Sequence, residues 1–200
     1  MNERDRLRRS WIANAGLWTE AVREGRIESR RAVTDAAVIA AVTDTQPRTV
    51  LDLGCGEGWL SRALASRGIA VTGVDASSPL IEAARSLGGA EFIVASYDAL
   101  PAGPFDTIVA NFSLLDDTLP TLPPHQSFVV QTLHPAFAPP PYQDGWRSEQ
   151  LDGWNEPMPW YCRTLESWSR LLGARYERVE IREPLWPDRA APASIVFTAR

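Results

Sequence analysis

Residues 50–64 read V-L-D-L-G-C-G-E-G-W-L-S-R-A-L. A short apolar run enters a glycine-rich loop and leaves as a run with helical spacing. A strand, loop and helix of this kind aims backbone N–H groups at a ligand. The dinucleotide-binding fingerprint is G-x-G-x-x-G, with its third glycine at the close approach of helix and strand. Gly54 and Gly56 fit it, but the third position falls on Trp59, the bulkiest residue available. The third glycine is Gly58 instead, giving G-x-G-x-G.

Charge separates the ligand classes further. A pyrophosphate prefers a helix amino end free of nearby anions. Here Asp52 precedes the loop and Glu57 lies inside it, so a phosphate is repelled. A nucleoside carrying an ammonium and a sulfonium is not. Asp75 ends the next apolar run, 19 residues after Gly56. An acid there can accept both ribose hydroxyls in either class, so it supports a nucleoside without deciding which.

V-L-D-L-G-C-G-E-G followed by V-T-G-V-D-A-S at 71–77 resembles the class I S-adenosylmethionine-dependent methyltransferases. In style it is closest to the small ubiquinone/menaquinone-biosynthesis-like group. F-D-T-I-V-A-N-F-S-L-L at 105–115 is similar to the fourth motif of that family, and W-Y-C-R-T-L-E-S-W-S-R-L-L-G at 160–173 is a weaker echo. The resemblance implies an α/β, Rossmann-like, doubly wound sheet of seven strands in order 3-2-1-4-5-7-6, with strand 7 antiparallel. It implies S-adenosylmethionine as cofactor. Gly54, Cys55 and Gly56 would line the methionine part through their backbone, with Asp52 near the amino group. Asp75 would take the ribose and Ala76 would flank the adenine. The family often has an acid after strand three for the adenine amino group. This chain has Ser96 and Tyr97 there, a departure: either Asp98 substitutes, or Ser96 and Tyr97 hold the base by backbone and ring contacts. Asn111 would end strand four beside the methyl group.

The rest of the chain reads consistently. Residues 5–24 and 32–43 have helical periodicity, with Trp11, Ala15, Trp18 and Val22 on one face and Ser29 or Thr34 as a cap for the second helix. Apolar runs at 49–53, 69–74, 91–95, 105–110 and 127–133 alternate with helices at 59–67 and 78–87 and a helical turn at 115–119, the signature of a parallel sheet covered on both faces. A helix over 164–172 and strands over 176–182 and 194–199 follow. The expected organisation is one methyltransferase domain over 1–200, with amino-terminal cap helices in 1–45. The proline- and aromatic-rich stretch 134–163 is a lid or acceptor loop.

Composition bounds the function. The chain has 200 residues, 44% hydrophobic and 22% charged, with a formal charge of −5, which argues against nucleic acid as main partner. Residues 1–31 nevertheless hold eight Arg against five acids. An RNA or protein methyltransferase therefore stands as an alternative, and a non-catalytic binder of S-adenosylmethionine or its demethylated product as another. Two cysteines, no long apolar stretch and a polar start point to a cytoplasmic, soluble enzyme with no membrane partner. No spacing of Cys and His suggests a metal.

Candidate residues outside the loop fall into four groups. His134 ends strand five at the carboxyl edge, where it can serve as general base or only orient the H-P turn. His125 reads as solvated. Arg30 or Arg31 could reach the cofactor carboxylate, with Arg31 preferred. Trp11 and Trp18 read first as packing, with closure over the cofactor as the second possibility. Trp146, Trp154, Trp160, Tyr161 and Arg163 cluster in the lid. Aromatics beside an Arg suit a planar or carboxylated acceptor, and Trp146, Tyr161 and Arg163 are the acceptor-site candidates.

Overall fold

The computed structural model describes residues 2–138, 140–151 and 153–200. Its sheet follows from the apolar runs. β1 (Thr49–Leu53), β2 (Ala70–Asp75), β3 (Glu91–Val94), β4 (Phe105–Asn111) and β5 (His125–Thr132) pair with one another in parallel. After a 3-10 turn at Pro135–Phe137 come β6 (Gly145–Glu149) and β7 (Met158–Cys162), an antiparallel hairpin apart from the main sheet. β8 (Val179–Arg182) and β9 (Ile195–Ala199) close the edge. The seven-stranded order is β3-β2-β1-β4-β5-β9-β8, with β9 antiparallel to both neighbours. This is the order implied by the resemblance, with β9 in the place of strand 7.

Side chains alternate between faces with the two-residue period of a strand. Val50, Val109, Val129 and Val196 turn to one face, where α3 (Asp35–Thr43) and α4 (Trp59–Ala65) supply Val38, Val42, Leu60 and Leu64. Leu51, Ile108, Phe128 and Phe197 turn to the other and meet Trp168 and Leu172 of α6 (Leu165–Gly173). α5 (Ser78–Leu87) has Pro79 in its first turn and ends at Gly88, as the sequence indicates.

Three elements depart from the sequence reading. The helix expected over 5–24 is two helices, α1 (Glu3–Ala13) and α2 (Ala15–Arg23), meeting at Asn14. The fully buried Asn14 amide donates to the carbonyls of Ser10 (2.9 Å) and Glu156 (3.0 Å) and accepts from the Asn155 N–H (2.7 Å). A side chain serving both α1 and the loop after β6 fixes the break. The second helix opens with a π-turn at Arg30–Thr34, and neither Ser29 nor Thr34 caps it through its side chain. The turn expected at 115–119 is not helical. Its carbonyls are taken by the hairpin side, Leu115 O by the Tyr161 N–H (2.8 Å) and Asp116 O by Arg163 (2.5 Å).

The stretch 134–163 is thus an ordered hairpin over most of its length, with residues 139 and 152 outside the described part. α1 packs on β7 and both α1 and α2 reach α5, so the amino-terminal helices bridge hairpin and α5 across the carboxyl edge of the sheet. Asn14→Ala removes three buried hydrogen bonds and leaves their partners unsatisfied, a loss of about 2 kcal/mol or more. Urea denaturation should show it; an unchanged midpoint would mean that Asn14 does not clasp the helices to the hairpin.

Candidate functional site

The glycine loop owes its path to backbone freedom. Gly54, Gly56 and Gly58 have φ of 66°, 58° and 85°, the left-handed region that only glycine adopts without strain. Space is also short. A Cβ on Gly54 would lie 2.4 Å from Ser113 Cβ and one on Gly58 2.6 Å from the Phe92 ring. Gly58 then stands at the amino cap of α4.

Two carboxylates flank this loop. Asp75 accepts the N–H of Gly56 (3.0 Å) and of Ser77 (2.8 Å), joining the loops after β1 and β2. These bonds use two of about four acceptor sites. Burial pushes its pKa up, and the two amides pull against that. Asp52 is 1% exposed and accepts one hydrogen bond, from Ser61 Oγ at 2.7 Å. Burial pushes its carboxyl up to about 7; Ser61 lowers it and the Asp75 charge raises it. A carboxyl in this state lacks the cation that a buried carboxylate normally has.

Glu57 does not act as the sequence suggests. Its buried carboxylate pairs with Arg62 Nη2 (2.6 Å) and Arg23 Nε (3.2 Å). Two guanidiniums offset its charge, so of the two acids read as repelling a phosphate only Asp52 is left to do so. Cys55 has its amide on Val74 O (3.0 Å), its carbonyl accepting Gly58 N–H (3.0 Å) and its thiol packed at Gly73 and Phe92. The Cys55 N–H is therefore taken by the sheet, and burial raises the thiol pKa.

Tyr97 and Ser113 close one side of the loop. Ser113 Oγ donates to Leu53 O (2.5 Å), and the Tyr97 hydroxyl donates to Ser113 O (3.0 Å). Ser96 and Ala76 are half-buried beside them, whereas Asp98 is exposed. Asn111, at the end of β4, keeps a buried Oδ1 with no partner. Trp18 lies across the loop from above, its Nε1 3.5 Å from where a Gly56 Cβ would be. It packs edge-on with Trp11 (5.4 Å) and Trp154 (6.4 Å), a trio that draws Trp154 away from the other lid aromatics.

Of the two arginines before α3, the structure turns Arg30 inward, not Arg31. Arg31 is exposed and packs its stem on Gly25. Arg30 grips Asp35 (2.9 and 3.2 Å), stacks 4.4 Å over Trp59 and keeps a buried Nη1 without a partner. His134 is also placed differently from a general base. Its Nδ1 accepts the Ala136 N–H (3.3 Å), and its Nε2 therefore carries the proton, which it donates to Glu183 (2.7 Å). With both nitrogens occupied, it caps the turn at Pro135 rather than awaiting a proton. His125 is not solvated either, because Tyr176 and the Pro123 carbonyl hold its ring.

On the far side, Trp146 and Tyr161 face each other across the hairpin at 5.6 Å. Tyr161 and Arg163 line a cleft with Leu114, Thr132 and Trp168; Trp146 is set behind Tyr161. Ser61, Ser113, Arg23 and Arg62 escaped the sequence reading. Only Ser61 left a trace, one turn into the helix that follows the loop.

These parts fit S-adenosylmethionine. Asp52 lacks a cation, Asn111 and Arg30 hold unpartnered buried atoms, and Asp75 has acceptor capacity to spare. Among the described residues no cluster of three metal-ligating side chains occurs, and no helix is long and apolar enough to cross a membrane.

Comparison with known proteins agrees with this geometry. Residues 50–126 match a family described as a methyltransferase domain. A malonyl-[acyl-carrier protein] O-methyltransferase of Salmonella typhimurium is 36% identical over 81 residues, 39% of this chain and 32% of the relative. A ubiquinone biosynthesis O-methyltransferase of Coxiella burnetii is 60% identical over 37 residues, 18% and 16% of the two chains. The matched segments span about a third or less of these relatives' length. The solved structure of magnesium protoporphyrin IX methyltransferase from Synechocystis with bound S-adenosylmethionine covers 100% of this chain and 97% of its own. Its TM-score is 0.61 and its identity 16%. This chain therefore has the fold of the S-adenosylmethionine-dependent methyltransferases and carries the sequence signature of a methyltransferase domain over residues 50–126.

Proposed function

We propose that this protein transfers a methyl group from S-adenosylmethionine to a small-molecule acceptor. The observation that carries the reading is Asp52, a buried carboxyl beneath the glycine loop with one hydroxyl donor and no cation. A cofactor with an ammonium group suits that place and a pyrophosphate does not. Asp75 would hold the ribose, Ala76, Ser96 and Tyr97 the adenine side, Gly54 and Gly56 the methionine side. Arg30 is the better-placed partner for the carboxylate, in preference to Arg31. Asn111 would face the reacting end.

The sulfonium supplies an already activated methyl group. The chain's part is placement and exclusion of water. Trp18 and its neighbours roof the loop, and Asp52 and Asp75 hold the bound molecule from below. No general base is assigned, because His134 is committed to Ala136 and Glu183. The basic amino terminus, the sole support for an RNA substrate, is largely spent on internal ion pairs. Arg4 meets Asp116 and Asp117, Arg9 meets Glu156, Arg23 meets Glu57 and Arg30 meets Asp35.

Calorimetry tests the reading. S-adenosylmethionine and its demethylated product should bind and NAD should not; the reverse would overturn it. Asp75→Ala should weaken cofactor affinity at least ~10-fold through loss of charge-assisted hydrogen bonds. Turnover against a metabolite library separates an enzyme from a binder.

Asp52 also predicts a pH dependence of the ligand-free protein. Its folded pKa of about 7 lies above the ordinary 3.8. The folded state then holds a proton that the unfolded chain has lost, so stability falls as pH rises from about 4 to 7 and levels off above. Asp52→Asn keeps the Ser61 bond and removes the charge. It should match the parent near pH 4 and exceed it by a few kcal/mol at pH 8, roughly 1.4 kcal/mol for each pKa unit. Parallel urea midpoints across that range would show that Asp52 already has a counter-charge.

A further inference from the structure

The hairpin side of the carboxyl edge holds a second buried charge that the cofactor does not use. Arg163 is 3% exposed. One of its nitrogens, Nη2, donates to the Asp116 carbonyl at 2.5 Å, while Nη1 is buried with no partner. The Tyr161 and Trp168 rings stand 5.0 and 5.1 Å from the guanidinium. Among the described residues no carboxylate lies within ion-pair distance. The acids that act on it are engaged elsewhere. Asp116 and Asp117 pair with Arg4, and Asp144 takes the Thr164 N–H and the Ser167 hydroxyl. An unpaired buried guanidinium is costly, and burial alone already lowers its pKa.

The surroundings say what would pair with it. Arg163 lines a narrow cleft between the ends of β4 and β5, the hairpin and α6, with Leu114, Leu115, Thr132, Trp160 and Pro135. Leu133, which also lines the cleft, is an exposed apolar residue, 44% accessible. A planar guanidinium fork with a free edge matches a carboxylate. Apolar and aromatic walls match a flat hydrophobic body.

We propose that the methyl acceptor is a small carboxylic acid with an aromatic or otherwise flat apolar body, and that Arg163 anchors its carboxylate in this cleft. The proposal rests on the methyl-transfer reading for the word acceptor, but the binding site does not depend on it. The slit is narrower than a ring, so the ligand enters by parting the Pro135–Phe137 turn from the hairpin. That turn is held to the sheet edge by His134.

Benzoate and benzamide, alike in shape and unlike in charge, are the probes. Binding to the full chain is measured by calorimetry with and without saturating S-adenosylhomocysteine. Benzoate should bind at least ~20-fold more tightly than benzamide, as loss of a charge-assisted pair in a desolvated site predicts. Arg163→Gln should abolish the preference while leaving S-adenosylhomocysteine affinity within ~3-fold, because the two sites share no contact. Arg163→Lys keeps the charge without the fork and should retain part of the preference; it serves also if the Gln variant fails to fold. Equal binding of the two probes, no benzoate binding, or a preference that survives in Arg163→Gln overturns the proposal. Loss of S-adenosylhomocysteine binding in the parent, with benzoate still bound, would instead sink the methyl-transfer reading.

Discussion

The Asp75 carboxylate ties the Gly56 and Ser77 amides to one side chain, and much of the site's geometry hangs on that bond pair. Gly56 belongs to the loop after β1 and Ser77 to the loop after β2. Two loops that each lack regular structure are thereby locked at a fixed separation. The lock works only because φ at Gly54, Gly56 and Gly58 is positive, which turns the amides toward the acid. A carboxylate held this way is fixed in place before any ligand arrives, so if it takes the ribose as proposed, less ordering remains to be done.

Beneath this lock the charge arrangement is uneven. Glu57 is neutralised by Arg23 and Arg62, so an acid within the glycine loop becomes part of the scaffold. Arg23 comes from α2, so this pair also fastens the amino-terminal helices to the loop they cover. Asp52 has no such partner and remains poised near neutrality. The contrast shows why proximity in sequence misleads. Asp52 and Glu57 are five residues apart, yet one meets a serine hydroxyl and the other two guanidiniums.

The glycine loop and the strand ends at Asp52 and Asp75 were legible in the sequence, because short apolar runs and glycine spacing are local signals, whereas the strand order and the end of β4 at Asn111 came from the family resemblance. What was not legible depends on contacts between distant segments. Asn14 breaks a helix because it serves Glu156 and Asn155, more than 140 residues away. The turn at 115–119 stays irregular because β7 and Arg163 take its carbonyls. His134 reads as a base from its place at a strand end, and only the meeting with Glu183, just past the edge strand β8, and with the Ala136 N–H removes that role. Arg31 and Arg30 are indistinguishable in sequence, and the π-turn sets which of them points inward.

These contacts place the two halves of the site on different supports. The cofactor half stands on β1, β2 and β4, whose residues are fixed by the sheet and by the glycine loop. The acceptor half stands on a hairpin, a 3-10 turn and the start of α6, joined to the sheet by a few hydrogen bonds at Leu115, Asp116 and His134. A methyl transfer from an activated donor needs alignment more than proton chemistry. The two supports are also coupled, since Trp154 of the hairpin loop packs on Trp18, which covers the glycine loop, and Asn14 ties α1 to the same hairpin loop. If the acceptor lies where we propose, its choice would rest on the hairpin cleft that holds Arg163, and its alignment on contacts that reach the glycine loop.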